Sequence, residues 1–105
     1  MSYAAEFLAQ EPTRAEVDAT DGRVLVEFGT SWCPHCQRAQ APLAGVLAAH
    51  PEIRHLKVED GKGRPLGRSF AVKLWPTLVL LERGRELARV VRPVSAADIA
   101  PLFVK

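Results

Sequence analysis

The two cysteines of the chain, Cys33 and Cys36, stand two residues apart in the segment SWCPHCQ (residues 31–37). Pro34 is typical of the first turn of a helix, because its missing N–H would be unpaired there anyway. A Cys33 thiolate would therefore face unpaired backbone N–H groups and the positive end of the helix dipole. Cys36 follows about one turn later on the same face. The spacing predicts a two-step exchange, in which an exposed Cys33 attacks a disulfide and a buried Cys36 resolves the mixed disulfide.

Two other uses of the cysteine pair have to be weighed. The thiols could be inert and packed in the core. They could also bind zinc together with His35, but a structural zinc site needs four ligands, and only His50 and His55 remain as soft donors. We expect His55 to be a hydrogen-bonded core histidine, and His50 to be the C-terminal residue of a helix, where the helix dipole favours it. No metal site is therefore predicted.

Length and composition fit one ordinary domain over residues 1–105. The chain is 48% hydrophobic and 25% charged, with a net charge of +2. This charge is too small to indicate a nucleic-acid partner, and no basic run is interleaved with aromatic residues. The longest apolar stretch, Leu78–Leu81, is far below the ~20 residues of a membrane span. Neither nucleic acid nor membrane is predicted as a partner.

The N-terminal segment MSYAAEFLAQEPTR has no basic region followed by a sustained apolar run, so it does not have the pattern of a secretory signal. Two cysteines are also too few for the disulfide framework of a small secreted protein. We therefore expect a cytoplasmic protein. In that compartment a Cys-x-x-Cys pair is more often catalytic or metal-binding than structural.

Hydrophobic periodicity and turn signals predict the element order α-β-α-β-α-β-β-α. The Thr13/Glu16 and Ser95/Asp98 pairs have capping-box spacing, and so predict the starts of the first and last helices. Strands separated by helices should pair in parallel, and the closing hairpin should add antiparallel pairs. Helices are predicted over residues 13–19, 33–50 and 95–104, with a further short helix near 66–70. Strands are predicted over residues 23–28, 53–58, 76–82 and 85–91.

The segments VLVEFGTSWCPHC and WPTLVLL resemble the thioredoxin family. Three further features stand at the right separations: Glu27 six residues before Cys33, Lys57 on the next strand, and Pro76 before the hairpin. The resemblance runs from about Val24 to the C-terminus, while residues 1–20 are atypical. It implies an α/β fold, namely a three-layer sandwich with a central mixed β-sheet flanked by helices.

The resemblance also implies roles for individual residues. Pro76 should be cis and lie beside the cysteine pair, where the neighbouring backbone pairs with the substrate chain. Glu27 replaces the buried acid that accepts the proton of the resolving thiol, and Lys57 should be its charge partner. No cofactor is implied beyond the Cys33–Cys36 disulfide. The implied partners are protein disulfides and dithiols, with a flavoprotein reductase for recycling, and the implied state is a monomer.

Several residues depart from the thioredoxin pattern. The Pro34-His35 dipeptide resembles that of periplasmic disulfide oxidases of the DsbA type, and His35 is expected to add positive charge that makes the disulfide more oxidising. Trp75 stands where a smaller residue is usual, and Arg92 where glycine is common. We expect Trp32 and Trp75 to contact substrate. The hairpin arginines are expected to form a solvated face: Arg83, Arg85, Arg89 and Arg92.

These observations predict a thiol–disulfide oxidoreductase that acts on protein disulfides through Cys33 and Cys36, most simply as a reductase. One alternative is a thioredoxin-like binding module that docks a partner through Trp32, Trp75 and Pro76. Another is an oxidase or isomerase of the DsbA type, which the Pro-His dipeptide favours.

Overall fold

Four strands and four α-helices alternate along residues 2–104, which are the residues that the computed structural model describes. Their order is the predicted one. The elements are α1 (Arg14–Asp18), β1 (Arg23–Gly29), α2 (Pro34–Ala48), β2 (Arg54–Glu59), α3 (Pro65–Ser69), β3 (Thr77–Glu82), β4 (Arg85–Val91) and α4 (Ala96–Ile99), followed by a 3-10 turn (Ala100–Phe103).

The strands form one sheet in the order β2-β1-β3-β4. The pair β1 and β2 is parallel, with Glu27 opposite Lys57, because α2 carries the chain back across the sheet between them. Strand β3 is antiparallel to both β1 and β4, and the hairpin turns at Arg83 and Gly84. The predicted mixed sheet is confirmed, and β1, which precedes the cysteine segment, lies inside it.

The side chains of β1 alternate between two buried layers, as the period of a strand requires. Val24, Val26 and Phe28 pack with α1 and α3 on one face. Leu25 packs with α2, α4 and the 3-10 turn on the other. Glu27 shares the face of Leu25, and its side chain therefore points toward α2. The three-layer sandwich is confirmed, and the alternation places one acid beneath the helix that begins at the cysteines.

Residues 2–12 contain no helix or strand and run along the outer edge of β2. The N–H of Leu8 donates to the carbonyl of Lys57 at 2.8 Å. The segment then enters α1, where Thr13 and Glu16 form the predicted reciprocal capping box. An extended N-terminal segment thus covers the edge strand beside the cysteine-bearing helix.

The last helix differs from its prediction. Ser95 makes no side-chain capping bond, and Asp98 instead accepts the N–H of Val94 at 2.9 Å. The α-helical hydrogen bonds end after one turn, because Pro101 has no N–H to donate, and the chain continues as a 3-10 turn. Among the described residues, no helix is both long enough and apolar enough to cross a membrane.

Candidate active site

Cys33 is the N-cap residue of α2, at the junction that the sequence predicted. Its Sγ accepts the backbone N–H of Cys36 at 3.4 Å, and Pro34 occupies the first turn of the helix. Both cysteines are free thiols. A negative charge on Cys33 is therefore placed against the unpaired N–H groups that begin a helix, where it is stabilised.

Cys33 is less exposed than expected. Only 5% of its surface is accessible, against 2% for Cys36, so the prediction of an exposed Cys33 is wrong. The reason is that its sulfur turns toward its own helix and lies 4.0 Å from the carbonyl oxygen of Trp75. The order of accessibility between the two thiols is still the one that an attacking and a resolving cysteine require.

Cys36 is held as a neutral thiol. Burial raises its pKa to about 12, with smaller contributions from the hydrogen bond to Cys33 and from the negative charge of Glu27. The close packing depends on Gly29, because a Cβ at that position would lie 2.5 Å from the Cys36 sulfur. Cys36 therefore has to lose a proton to a base before it can attack at neutral pH.

Glu27 is completely buried, and both of its carboxyl oxygens are hydrogen-bonded. Oε2 accepts the side-chain N–H of Gln40 at 2.8 Å, and Oε1 lies 2.9 Å from Nε2 of His55. Nδ1 of His55 accepts a hydrogen bond from the backbone N–H of Ala4 at 2.8 Å. Nε2 is therefore the ring nitrogen that donates a hydrogen bond to Glu27. The prediction that His55 is a hydrogen-bonded core residue is confirmed, and it is Glu27 that it binds.

Lys57 does not bind Glu27 directly, although the two residues stand opposite each other on neighbouring strands. Its Nζ donates to Oε1 of Gln40 at 2.9 Å and to the carbonyl of Ala5 at 3.1 Å. The side chain of Gln40 lies between lysine and glutamate, with its oxygen toward one and its N–H toward the other. The expected direct charge pair is therefore wrong, and Gln40 links the two residues.

Gln40 is the residue that the sequence reasoning missed. It also donates to the carbonyl of Cys36 at 2.7 Å and accepts the hydroxyl of Tyr3 at 2.7 Å. One signal could have found it: Gln40 lies four residues after Cys36, and so on the same side of the helix as the resolving thiol. A polar residue on the inward side of a helix needs a buried partner.

A cavity of about 300 Å³ opens beside the resolving thiol. It is lined by Cys36, Gln40 and Lys57 together with Thr30 and Phe7. The N-terminal segment forms its outer wall. The cavity places the thiol and the hydrogen-bonded network of Glu27 next to a space that communicates with the surface.

Two tryptophans flank Cys33. The Trp75–Pro76 peptide bond is cis, as the resemblance implies. The indole N–H of Trp75 donates to Asp60 at 2.8 Å, and the ring of Trp32 meets that of Trp75 edge-on, with 5.6 Å between the ring centroids. Trp32 is 68% exposed. The pair forms an aromatic wall beside Cys33.

His35 accepts a hydrogen bond rather than supplying charge. Its Nδ1 lies 3.1 Å from a guanidinium nitrogen of Arg38, which can only donate. The positive charge of Arg92 lowers the pKa of His35 further below neutrality, with smaller effects from burial and from Arg38. The expectation that His35 carries the positive charge is therefore wrong, and the two arginines supply it.

The hairpin arginines are only partly the solvated face that was expected. Arg83 and Arg85 are exposed. Arg89 is half-buried and donates to Glu86 and to the carbonyl of Phe70. Arg92 is exposed but is bound to the loop that carries Pro76, by a hydrogen bond from its Nε to the carbonyl of Trp75.

The candidate metal ligands do not converge. Among residues 2–104 there is no group of three or more histidine, cysteine, aspartate or glutamate side chains that could hold a metal ion. His50 stacks on Phe103 with 4.7 Å between the rings, and His55 is bonded to Glu27. The geometry gives the zinc alternative no support.

A dithiol at a helix N-terminus, facing a cis-proline and backed by a buried carboxyl, defines a thiol–disulfide oxidoreductase built on a mixed α/β sandwich. Residues 5–104 match the family model described as Thioredoxin. The chain therefore belongs to the thioredoxin family.

Relatives and solved structures agree with this assignment. The chain is 37% identical over 85 residues to a thioredoxin of Chlamydia muridarum, covering 80% of this chain and 82% of that one. It is 35% identical over 71 residues to a thioredoxin of Chlamydia trachomatis, with 67% and 69% covered. The structure of thioredoxin 2 from Pseudomonas aeruginosa in its reduced form superposes with a TM-score of 0.85 and 57% identity, covering 96% of this chain and 94% of that one.

Proposed function

We propose that the protein reduces protein disulfides, with Cys33 as the attacking residue and Cys36 as the resolving residue. The Cys33 thiolate bonds to one sulfur of the substrate disulfide, and the other sulfur leaves and takes a proton. Cys36 then loses its proton and attacks the Cys33 sulfur, which releases the second substrate thiol. Two electrons pass to the substrate, and the Cys33–Cys36 disulfide remains. The observation that carries this assignment is the position of Cys33 as N-cap of α2, with its Sγ on the Cys36 N–H.

Glu27 is proposed as the group that accepts the proton of Cys36. Its charge already acts on the thiol, since it contributes to the raised pKa of Cys36. His55 and Gln40 each donate one hydrogen bond to the carboxyl and so fix its orientation. Lys57 acts through Gln40, and we assign it a positioning role.

Substrate is proposed to bind across the surface formed by Trp32, Trp75 and Pro76, with Pro34 and His35 at its border. The two indole rings provide a rigid apolar contact. The backbone next to Pro76 would pair with the substrate chain, which brings a substrate disulfide to the sulfur of Cys33.

The whole chain, residues 1–105, is proposed to act as one monomeric domain in the cytoplasm, recycled by a flavoprotein disulfide reductase and needing no cofactor beyond its own dithiol. Support comes from the thioredoxin relatives and from the placement of both cysteines in the exchange site, with none left for a structural disulfide. The residues that precede α1 belong to this unit, because Ala4 binds His55 and Ala5 binds Lys57.

The reduction potential of the Cys33–Cys36 pair tests the direction of the reaction. Equilibration in dithiol and glutathione buffers should give a value near that of thioredoxins, ~−270 mV. A value near ~−120 mV would overturn the reductase assignment in favour of an oxidase. Insulin reduction by wild type and by Cys33→Ser separates catalysis from docking, since a binding module would show no turnover in either form.

A further inference from the structure

Arg92 is held against the proline loop by both its backbone and its side chain. Its N–H donates to the carbonyl of Pro76 at 2.8 Å, and its Nε donates to the carbonyl of Trp75 at 2.9 Å. The residue has φ +52°, a left-handed conformation that glycine would adopt more easily. Arg92 thus occupies a left-handed position beside the site, where its backbone and its side chain each bind the loop that carries Pro76.

The guanidinium of Arg92 and the sulfur of Cys33 both neighbour the carbonyl oxygen of Trp75. The carbonyl oxygen of Trp75 that accepts Arg92 Nε also lies 4.0 Å from Sγ of Cys33. Nε donates to the protein itself, while the side chain of Arg92 is exposed and its guanidinium has further N–H groups that can donate to a ligand. Any segment that pairs with the backbone beside Pro76 must pass this group.

Arg38 adds a second positive charge beside His35. Its guanidinium contacts Nδ1 of His35 at 3.1 Å, and both arginines lower the pKa of that histidine. Within the described part of the chain, neither Arg38 nor Arg92 lies within 4.0 Å of a carboxylate. Asp60 is half-buried and binds the indole of Trp75 instead. The rim of the site therefore carries positive charge without a paired acid.

We propose that Arg92, together with Arg38, determines substrate specificity by selecting disulfide segments that carry aspartate or glutamate beside the attacked cysteine, a preference that rests on the exchange reaction proposed above. Carboxylates match the guanidinium in charge and in hydrogen-bonding geometry. Trp32 and Trp75 supply apolar contact without regard to charge. The two arginines then discriminate among segments, by steering acidic ones in and repelling basic ones.

The test uses three synthetic peptides that are identical except for the four residues around one cysteine, which are Glu, Gln or Lys. Each cysteine is linked by a disulfide to 2-mercaptoethanol, and the reaction with the reduced protein is followed by stopped-flow tryptophan fluorescence. The acidic peptide should react at least about tenfold faster than the basic one at low salt. The ratio should shrink as ionic strength rises.

Charge-removing variants locate the effect. Arg92→Gln and Arg38→Gln should each reduce the ratio of acidic to basic rates. The matched control is Arg83→Gln, which removes the same charge from a residue that is also left-handed but lies at the far end of β3, roughly 20 Å away. This control should keep the wild-type ratio.

The outcomes separate the two proposals. Equal rates for the three peptides in the wild-type protein would overturn the charge selection and leave the exchange reaction intact. The charge selection would also be overturned if Arg83→Gln lost the ratio of acidic to basic rates as fully as Arg92→Gln, because the net charge of the protein would then explain the ratio. Failure of all three peptides and of uncharged hydroxyethyl disulfide to react would instead overturn the proposed function.

Discussion

His55 donates its Nε2 proton to the buried carboxyl of Glu27 at 2.9 Å, because its Nδ1 already accepts the backbone N–H of Ala4. The side chains of His55 and Gln40 thus fix the carboxyl of Glu27, and Lys57 is connected to that carboxyl through Gln40. The N–H of Ala4, in the N-terminal segment, thus determines that His55 donates to Glu27 through Nε2.

Replacing His55 by leucine should destabilise the protein by about 1–3 kcal/mol. The change leaves the carboxyl of Glu27 and the N–H of Ala4 without their partner, and a buried group without its hydrogen bond costs about that much. Urea unfolding measures the difference. The matched variant is His55→Gln, which keeps an N–H donor for Glu27 and should lose less. Equal losses in the two variants would mean that the bond to Glu27 contributes nothing measurable.

Replacing Glu27 by glutamine should slow the resolving step on the order of 10²-fold at pH 7, because Cys36 loses its proton acceptor. The difference should shrink as the pH approaches 12, where Cys36 ionises without help. Rapid-mixing measurements of the release of the second substrate thiol follow this step. Glu27→Asp keeps a carboxyl and should recover much of the rate. A glutamine variant that resolves at the wild-type rate at pH 7 would remove Glu27 from the mechanism.

The reduced protein should lose stability as the pH rises from about 9 toward about 12. The Cys36 thiol has its pKa raised to about 12 in the folded chain, from an ordinary value of 9.0, chiefly by burial. Over that range the unfolded chain gives up the proton first, so ionisation favours unfolding. Below pH 9 this contribution to stability is fully present.

The comparison that isolates this effect is wild type against Cys36→Ser, both reduced and unfolded in urea at each pH. The other ionisable groups, Tyr3 among them, are the same in both proteins, so only the difference between the two proteins reports Cys36. Parallel stability curves from pH 8 to pH 11 would show that the thiol ionises alike in the folded and unfolded chains.

Replacing Gly29 by alanine should destabilise the reduced protein by about 1–3 kcal/mol, since the added Cβ would lie 2.5 Å from the Cys36 sulfur and 3.9 Å from Pro76. The control is Gly45→Ala, in the last turn of α2, where an added Cβ meets nothing within 4 Å. That change should stabilise the protein by about 0.5–1 kcal/mol, because alanine is the better helix former. Losses of similar size in both would argue against the close contact at Cys36.

The elements that could be predicted from sequence are those whose signals are local. Short apolar runs place β1 and β3, and Pro34 after Cys33 marks the start of α2. The last helix was predicted too long because Ser95 and Asp98 have capping spacing without forming the capping bonds, and Pro101 removes an α-helical hydrogen bond.

The connections within the site depend on contacts between distant segments, and spacing along the chain does not report these. Lys57 stands opposite Glu27 as predicted, but which side chain reaches the carboxyl is decided by Gln40 from α2 and His55 from β2. Which ring nitrogen of His55 donates to Glu27 depends further on Ala4. Ala4 lies in the N-terminal segment, which has no periodic pattern from which its position could be predicted.

Trapping the mixed disulfide tests the assignment of the two cysteines most directly. Reduced Cys36→Ser and Cys33→Ser are mixed with a disulfide-linked peptide at neutral pH, quenched with acid and weighed by mass spectrometry. Cys36→Ser should accumulate a one-to-one adduct through Cys33, because the attacking thiol is present and the resolving thiol is missing. Cys33→Ser should form almost none in the same time, since Cys36 stays protonated and buried. Equal adducts in both variants, or an adduct only through Cys36, would contradict the account.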